Sequence, residues 1–288
     1  MGFFKKSRCN SGFHRKGNRC VASIKRERDN KSINCSGKDK KKLECSVQSP
    51  LRPIIPYFGG KTKVANKIID KMPEHSTFIE PFAGGASVYW ANNKADNFII
   101  NDKNKEVYNL YKTAKNSPNL IKSCDVSHGS KFKFNKIKSK SNKSACDVMY
   151  LHKHSYGADA KSFVKKGFRN NGFTDEHAKK LNKTKVLNQD FRKVMKSNDK
   201  SDVLQYLDPP YVVGGDTYKV HGVTPKEVCD SVKKLKKAKA IISYDNNSKV
   251  KNQCKGLKMS TISFQYVVAN KKGVKNNKKS KELLITNY

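Results

Sequence analysis

The sequence predicts an open α/β sheet, mostly parallel, and three features of the chain support this fold class. Short apolar runs of strand length alternate with segments whose apolar residues recur at helical spacing. A glycine-bearing turn at residues 81–86 joins the first such run to a helical segment. Acidic residues, Asp102 and Asp208, follow two of the runs. Because sheets of this class bind ligands at the carboxyl ends of their strands, these acids are candidate site residues.

The predicted elements begin just after residue 50, where periodic sequence starts. The first helix, at 63–72, has four apolar residues at helical spacing, and Pro73 ends it. A strand at 76–80 leads through the glycine turn into a helix at 87–92, and a strand at 97–100 precedes a helix at 106–115. Further strands are predicted at 186–188, 203–207, 240–243 and 283–286, with a helix at 225–237. Residues 117–184 are polar, rich in Lys and weakly periodic, which predicts an insertion rather than part of the sheet.

The charge of the chain predicts a polyanionic partner. The 288 residues contain 61 Lys and Arg against 24 Asp and Glu, a formal net charge of +37. This excess is larger than solubility needs, and it favours nucleic acid as the polyanion. A genome whose codons favour Lys is the alternative origin. Only eight of the 61 are Arg, which indicates phosphate attraction more than bidentate reading of bases.

Composition also bears on location and on the first segment. No apolar run approaches the roughly 18 residues of a membrane span, and the N-terminus does not resemble a secretory signal. We therefore expect a protein that stays in the cytoplasm or nucleus, not secreted, whose eight Cys are free thiols. Residues 1–50 hold fourteen basic residues, four acidic residues and four Cys, and we expect a flexible basic arm. A small Cys-linked or metal-binding module is the alternative; without a C-x-x-C pair, no metal site is predicted.

The glycine turn and Asp102 together favour an adenosine-bearing cofactor. The stretch Phe78-Ile-Glu-Pro-Phe-Ala-Gly-Gly-Ala-Ser87 lets backbone approach a ligand closely, and it lacks the Lys of a triphosphate-binding loop. Asp102 lies just past the next predicted strand, where the ribose hydroxyls of a nucleoside would lie. A purely structural tight turn and a helix N-cap are the alternative interpretations of these two features.

The stretch Asp208-Pro-Pro-Tyr211 follows an apolar strand and predicts a platform for an amino group. Two consecutive prolines fix the backbone in an extended, rigid exit from the sheet. The Asp208 carboxylate and the Pro209 carbonyl can then accept the two N–H groups of an exocyclic amine, which frees the nitrogen lone pair for attack. Tyr211 offers a ring on which a base stacks, worth about 1–3 kcal/mol. An ordinary turn at the end of a strand is the alternative.

The order of these motifs resembles that of the Dam-type (D12 class) DNA adenine-N6 methyltransferases. The resemblance spans residues 53–288 and rests on the following stretches: Pro56-Tyr-Phe-Gly-Gly-Lys61, Phe78-Ile-Glu-Pro-Phe-Ala-Gly-Gly85, Asn101-Asp102, Asn188-Gln-Asp-Phe191, Asp208-Pro-Pro-Tyr211, Ile242-Ser-Tyr-Asp245 and Glu282-Leu-Leu-Ile-Thr-Asn287. It implies a Rossmann-like open twisted sheet, mostly parallel, with a small inserted target-recognition domain. It also implies site-specific transfer of a methyl group from S-adenosylmethionine to N6 of a flipped-out adenine in double-stranded DNA. Tyr57-Phe58 replaces the more usual Trp-Ala of the family.

The resemblance assigns roles residue by residue. The catalytic platform is implied at Asp208, Pro209, Pro210 and Tyr211. Cofactor binding is implied at Tyr57, Lys61, Phe82, Ala83, Gly84, Ser87, Asp102, Asp190, Phe191 and Asp208. The catalytic domain would comprise residues 51–116 and 185–288, and the target-recognition insertion residues 117–184. Candidate nucleic-acid contacts are Tyr218, Lys131, Lys133, Lys165, Lys166, Arg169 and Asn170. Four His of the insertion, at 128, 152, 154 and 177, are interpreted as polar loop residues.

Other functions remain open at this stage. The same amine chemistry serves N4-cytosine and other amine methyltransferases, but Asp at the first platform position favours adenine. A non-catalytic basic DNA-binding protein derived from a methyltransferase is the alternative from another class. The intact acids Asp102 and Asp208 argue against it, and cofactor binding would separate the two. A cognate restriction endonuclease is a possible partner, and a monomer is favoured.

Overall fold

The chain divides into two compact units, Met1–Leu51 and Arg52–Tyr288. The computed structural model describes residues 50–168, 172–210, 222–269 and 275–288, with backbone alone at 265–269 and 275–280, and the backbone of four short strands before residue 50. Within the first unit, Phe13–Lys16 pairs antiparallel with Arg19–Ala22, and Ser32–Asn34 pairs antiparallel with Ser46–Gln48. The basic-arm role of residues 1–50 stays a prediction.

A seven-stranded sheet organises the second unit. In chain order its strands are β1 (Thr77–Glu80), β2 (Asn97–Asn101), β3 (Thr184–Leu187), β4 (Val203–Leu207), β5 (Lys239–Asp245), β6 (Lys258–Ala269) and β7 (Lys275–Thr286). Their spatial order is β3-β2-β1-β4-β5-β7-β6. The first five strands are parallel, and the β6–β7 hairpin adds antiparallel to β5. This confirms the predicted open, mostly parallel α/β sheet. The strand order reverses between β1 and β4, the position where such sheets open a ligand crevice.

Ten helices of the second unit are described. They are α1 (Ala65–Ile69), α2 (Ser87–Ala91), α3 (Lys105–Asn116), α4 (Pro118–Ser123), α5 (Lys131–Lys138), α6 (Ala145–Lys153), α7 (Asp175–Asn182), α8 (Phe191–Ser197), α9 (Pro225–Lys233) and α10 (Ser248–Gln253). A 3₁₀ turn follows α6 at Tyr156–Ala158. Helices α8, α9 and α10 pack on one face of the sheet around alternate residues of β5. On the other face, the Tyr89 ring of α2 packs on Phe98 of β2, so the central strands are buried on both sides.

The segment 117–184 is helical. It contains α4 to α7. It packs on the rest of the second unit through contacts such as the ring pair of His177 with Trp90 of α2, whose centroids are 4.8 Å apart. A salt bridge of 3.0 Å joins Lys143 to Glu106 of α3. The interpretation of its histidines as loop residues is wrong for His152 of α6 and His177 of α7, whereas His154 lies in the turn after α6; all three are buried. Its role in target recognition stays a prediction.

The prediction that the cysteines are free thiols is wrong for four of them. Cys124, at the end of α4, forms a disulfide with Cys146 of α6, and their Cα atoms are 5.2 Å apart. Cys229 of α9 forms a disulfide with Cys254, at the end of α10, with Cα atoms 5.3 Å apart. The pairs are separated by 22 and 25 residues in sequence. Helix packing brings them together, and a rule based on cellular compartment contains no information on that packing.

Candidate active site

A cleft of about 420 Å³ opens at the carboxyl ends of β1 and β4. The loops after β1, β2, β3 and β4 line it, together with residues 57–61, which precede α1. The predicted site residues Tyr57, Lys61, Phe82, Ala83, Gly84, Ser87, Asp102, Asp190, Phe191, Asp208, Pro209 and Pro210 all line this cleft. The sheet topology thus brings together residues as far apart in sequence as Tyr57 and Pro210.

The glycine turn after β1 is fixed from two sides. Asp102 accepts a hydrogen bond of 2.8 Å from the Gly84 backbone N–H with one carboxylate oxygen, and one of 2.8 Å from the Asn104 N–H with the other. Tyr111 of α3 donates to the Gly84 carbonyl at 2.9 Å. The N-cap residue of α3 is Asn104, so Asp102 does not cap that helix. The acid after β2 therefore holds the loop after β1 in place while it lines the cleft.

Tyr57 packs directly on this turn. A Cβ atom added at Gly84 or at Gly85 would come within 2.8 Å of the Tyr57 side chain, and Gly84 has a φ of +45°. The two glycines are therefore required by the approach of the Tyr57 ring. The Tyr57 ring also stacks on His152 of α6, with centroids 5.0 Å apart. Buried His152 was not among the candidate site residues, although it supports one of them.

A pair of aromatic rings forms the wall of the cleft beside α8. Phe82 and Phe191 lie with centroids 4.9 Å apart. Asp190 caps α8 by accepting from the Arg192 N–H at 2.9 Å, and it also pairs with the Arg192 guanidinium at 2.9 Å. Arg192 itself lines the cleft and was not predicted, because a lone Arg at the start of a short helix carries no motif signal.

Asp208, at the end of β4, forms a buried ion pair with Lys61. The Lys61 ammonium lies 2.7 Å and 3.0 Å from the two Asp208 oxygens, and donates to the Gly59 carbonyl at 2.9 Å. Glu282 of β7 is 3.7 Å from the same ammonium. The Lys61 and Asp208 side chains are 6% and 18% exposed. Burial raises the pKa of Asp208, while the neighbouring Lys61 charge opposes that rise.

A second chain of hydrogen bonds reaches Asp208 from inside the sheet. The Ser243 hydroxyl of β5 donates to an Asp208 oxygen at 3.3 Å. The Tyr206 and Ser243 hydroxyl oxygens are 2.8 Å apart. Because the Ser243 hydrogen is directed to Asp208, Tyr206 is the donor in this second bond. Ser243 lies in the stretch Ile242-Ser-Tyr-Asp245, but no role was predicted for its side chain. In the sequence, Tyr206 has the pattern of an ordinary core residue of a strand.

The cleft contains another buried carboxyl group, Glu80 at the end of β1. One of its oxygens accepts from the Tyr89 N–H at 2.9 Å, and burial raises the pKa of Glu80 well above its usual range. The nearby Asp208 charge raises this pKa further. Glu80 is the third residue of the stretch that begins at Phe78, and no role was predicted for it.

The remaining candidates divide into two sets. Tyr211, Tyr218, Arg169 and Asn170 lie outside the described residues. Lys131, Lys133, Lys165 and Lys166 are exposed on the insertion, and the Lys133 ammonium lies 4.5 Å from the Tyr150 ring centroid. Among the described residues there is no cluster of three or more His, Cys, Asp or Glu that could hold a metal ion. Those residues also contain no helix long and apolar enough to span a membrane.

Residues 57–278 match the family model of the D12 class N6 adenine-specific DNA methyltransferases. The chain belongs to this family. The match covers every lining residue of the cleft and extends through β6 to the start of β7. The predicted family and the predicted reaction class are confirmed: this is an adenine-specific DNA methyltransferase.

Relatives of this adenine methyltransferase come from a virus and a bacterium. The type II methyltransferase M.CviBI of Paramecium bursaria Chlorella virus NC1A is 28% identical over 180 residues, covering 56% of this chain and 69% of that protein. The type II methyltransferase M1.LlaDCHI of Lactococcus lactis subsp. cremoris is 26% identical over 197 residues, covering 58% and 68%. A solved S-adenosylmethionine-dependent methyltransferase from Agrobacterium tumefaciens is 9% identical with a TM-score of 0.38, covering 85% of this chain and 72% of that one.

Proposed function

We propose that the cleft binds S-adenosylmethionine at one end and an adenine extruded from duplex DNA at the other. The ion pair of Lys61 with Asp208 at the carboxyl end of β4 is the observation that carries this proposal. It supports an ionised carboxylate in a buried place at the point where the strand order reverses. An ionised, hydrogen-bonded carboxylate there is suited to accept N–H bonds from an amine.

The residues near β1, β2 and α8 fit the cofactor. Asp102 and Asp190 offer carboxylate oxygens suited to hydroxyl groups, and Phe82 and Phe191 offer an apolar wall suited to a purine. The turn at Gly84 lines the cleft beside them. S-adenosylmethionine would supply a methyl group activated by a positively charged sulfur. We assign its binding to these residues and to the turn 83–87.

The other end fits an amino group. Asp208 accepts one N–H of the adenine amine, and the Pro209 carbonyl accepts the second. Both acceptors are fixed in direction, since consecutive prolines restrict the backbone and Lys61 holds the carboxylate. The amine nitrogen then attacks as a neutral nucleophile, and positioning provides most of the rate enhancement. Asp208 is the adjacent base for the proton that must leave the methylated nitrogen. A paired adenine cannot reach this site, so the base must be extruded first.

The test is methyl transfer from labelled S-adenosylmethionine to unmethylated duplex DNA, followed by sequencing for modified adenines. We expect N6-methyladenine at one short sequence with the native chain. Asp208→Asn keeps the side-chain size but removes the charge, and we expect a loss of roughly 10²- to 10⁴-fold in kcat. Exposed Asp96→Asn is the matched control and should act like the native chain.

The outcomes separate the alternatives. A folded native chain that binds the cofactor but modifies no adenine would contradict the adenine assignment and favour another amine. Full activity of Asp208→Asn would remove Asp208 from the reaction. Because relatives are named type II methyltransferase and modification methylase, we also propose a restriction endonuclease with the same target sequence as the partner. DNA modified by this chain should then resist that enzyme.

A further inference from the structure

Two exposed aromatic rings, Phe58 and Tyr156, belong to neighbouring segments, and the first of them lines the cleft. Phe58 is 42% exposed and lines the cleft. It immediately precedes Gly59, whose carbonyl accepts from the Lys61 ammonium, so it belongs to the Asp208 end. Tyr156, in the 3₁₀ turn after α6, is 75% exposed. Exposed aromatic surface is unfavourable in water, so these two rings are candidates for contact with a partner.

The turn that carries Tyr156 packs against Phe58. Gly157 has a φ of +61°, and a Cβ atom added there would lie 3.3 Å from the Phe58 ring. This contact connects the insertion to the loop 57–61. The two exposed rings are therefore on neighbouring pieces of backbone, although they are almost 100 residues apart in sequence.

The backbone of this turn is strained and firmly held. Ala158 and Ala160 have φ values of +62° and +57°, which non-glycine residues adopt only at a cost. Tyr156 N–H donates to the Ser162 carbonyl at 2.8 Å, Ala160 N–H donates to the Ser155 hydroxyl at 2.9 Å, and His152 donates to the Ala158 carbonyl at 3.0 Å. The fold thus fixes the backbone beneath an exposed ring, which lowers the entropy that a contact would have to overcome.

The charge around the turn favours a polyanion as the partner. Lys161, Lys165 and Lys166 follow Tyr156 closely and are exposed. Exposed rings together with Lys are the combination by which proteins hold unpaired nucleotides, since every base has a face on which a ring can stack. A protein partner or a membrane surface would not explain why one of the rings also lines the cleft.

We propose that Phe58 and Tyr156 form a stacking site for unpaired DNA bases. Phe58 stacks on the adenine as it enters the cleft, and Tyr156 stacks on the bases that the adenine leaves behind. Together they stabilise the extruded state, which otherwise costs the stacking and pairing of one base. This inference rests on the proposed function, because it needs an adenine that leaves the duplex.

The experiment compares Phe58→Ala and Tyr156→Ala with the conservative variants Phe58→Tyr and Tyr156→Phe. The probe is a duplex with 2-aminopurine at the adenine that the native chain methylates, because its fluorescence rises when the base is unstacked. Methyl transfer and S-adenosylmethionine affinity are measured in parallel. Phe132→Ala, which removes another exposed ring of the insertion outside the cleft lining, is the matched control.

We expect each Ala variant to reduce the fluorescence rise and to increase KM for DNA by roughly 5- to 150-fold, the effect of one stacking contact. The conservative variants should stay near the native values, and S-adenosylmethionine affinity should not change. A mismatch opposite the target should restore most of the loss, because it lowers the cost of extrusion.

Three results would overturn the inference. Weaker S-adenosylmethionine binding by Phe58→Ala with unchanged DNA binding would assign that ring to the cofactor. A fluorescence rise unchanged in both Ala variants would mean that the rings do not stabilise the extruded base. An equal loss in Phe132→Ala would mean that the rings contribute only general surface contact. If the native chain methylates no adenine, the proposed function fails before this comparison can be made, so the two failures are distinguishable.

Discussion

Asp208 combines burial with a full set of polar neighbours, and this combination determines its chemistry. Removing a carboxylate from water is costly unless a cation and hydrogen bonds compensate. Lys61 supplies the cation, and Ser243 supplies a hydroxyl donor that Tyr206 in turn orients. One Asp208 oxygen receives bonds from both Lys61 and Ser243, whereas the other receives a bond from Lys61. We infer that this second oxygen accepts the adenine amine.

The hydrogen bond from Ser243 leads to a prediction about pH. In the proposed reaction Asp208 must be ionised to take the proton that leaves the methylated amine, and burial raises its pKa. As pH falls through that pKa, the carboxylate takes up a proton and activity is lost. The bond from Ser243 stabilises the charged form and so lowers the pKa. In Ser243→Ala the pKa should rise further, and the acid limb of kcat/KM should move to higher pH.

The measurement is the pH profile of kcat/KM for methyl transfer. Tyr206→Phe should move the acid limb in the same direction but less, because Ser243 keeps its own bond to Asp208. Ser231→Ala is the control, since the Ser231 hydroxyl bonds the Glu227 carbonyl within α9, apart from the cleft lining. A profile that does not change in Ser243→Ala would show that this hydroxyl does not tune Asp208.

The sequence predicts the parts of the site that form contiguous motifs. Asp208 with its two prolines and the turn at Gly84 each depend on neighbours in the chain, and both line the cleft; their roles stay a prediction. Ser243 and Glu282 act through strand register, which places β5 beside β4 and β7 beside β5. Local sequence does not specify that register, so their contacts with Asp208 and Lys61 could not be predicted from the sequence.

At the scale of elements, the packing of Tyr57 on the glycine turn couples two distant segments. Gly84→Ala should therefore destabilise the protein in two ways. A positive φ costs a non-glycine residue about 1–2 kcal/mol, and overpacking against the Tyr57 ring adds about 1–3 kcal/mol. The free energy of unfolding, measured with denaturant, should fall by roughly the sum of both. S-adenosylmethionine affinity should fall as well, because the turn lines the cleft.

Gly172→Ala separates the two contributions. Gly172 also has a positive φ, +73°, but an added Cβ there would meet no atom within 4 Å. It should therefore show the backbone cost alone. Equal destabilisation by Gly84→Ala and Gly172→Ala would contradict the steric role of Tyr57. A second comparison, Gly84→Ala in a Tyr57→Ala background, should recover part of the loss for the same reason.

Element boundaries were predictable where an apolar run or a helical pattern stands out from polar neighbours. Strand β4 lies at the predicted residues 203–207, and α3 lies within one residue of its predicted ends. The helix predicted to reach 237 ends at Lys233. Strand β6 was missed although Ile262 and Phe264 alternate with polar residues. Its partner β7 is rich in Lys over much of its length and was predicted only at 283–286; hairpin pairing outweighs its weak strand propensity.

At the scale of the whole molecule, the net charge of +37 is a long-range property that no single element explains. Such a charge raises the rate of encounter with DNA and supplies affinity that does not depend on sequence. Recognition of one target must then come from contacts to base edges and, under the proposed function, from the extruded adenine. The exposed lysines of the insertion are the described candidates for the first, sequence-blind contribution.

The separation of phosphate contacts from base contacts predicts the salt dependence of DNA binding. If Lys165 and Lys166 contact phosphates, the logarithm of affinity should fall linearly with the logarithm of salt concentration, and replacing both by Ala should reduce that slope by about 1.8, or about 0.9 per phosphate. The methylated sequence should not change, because phosphate contacts carry no sequence information.

Fluorescence anisotropy of one labelled duplex between about 50 and 300 mM salt measures the slope. Lys255→Ala, exposed after α10 and outside both the insertion and the cleft lining, is the control. A native slope in the double variant would remove these lysines from the DNA contact. A change in the methylated sequence would instead assign them to base recognition.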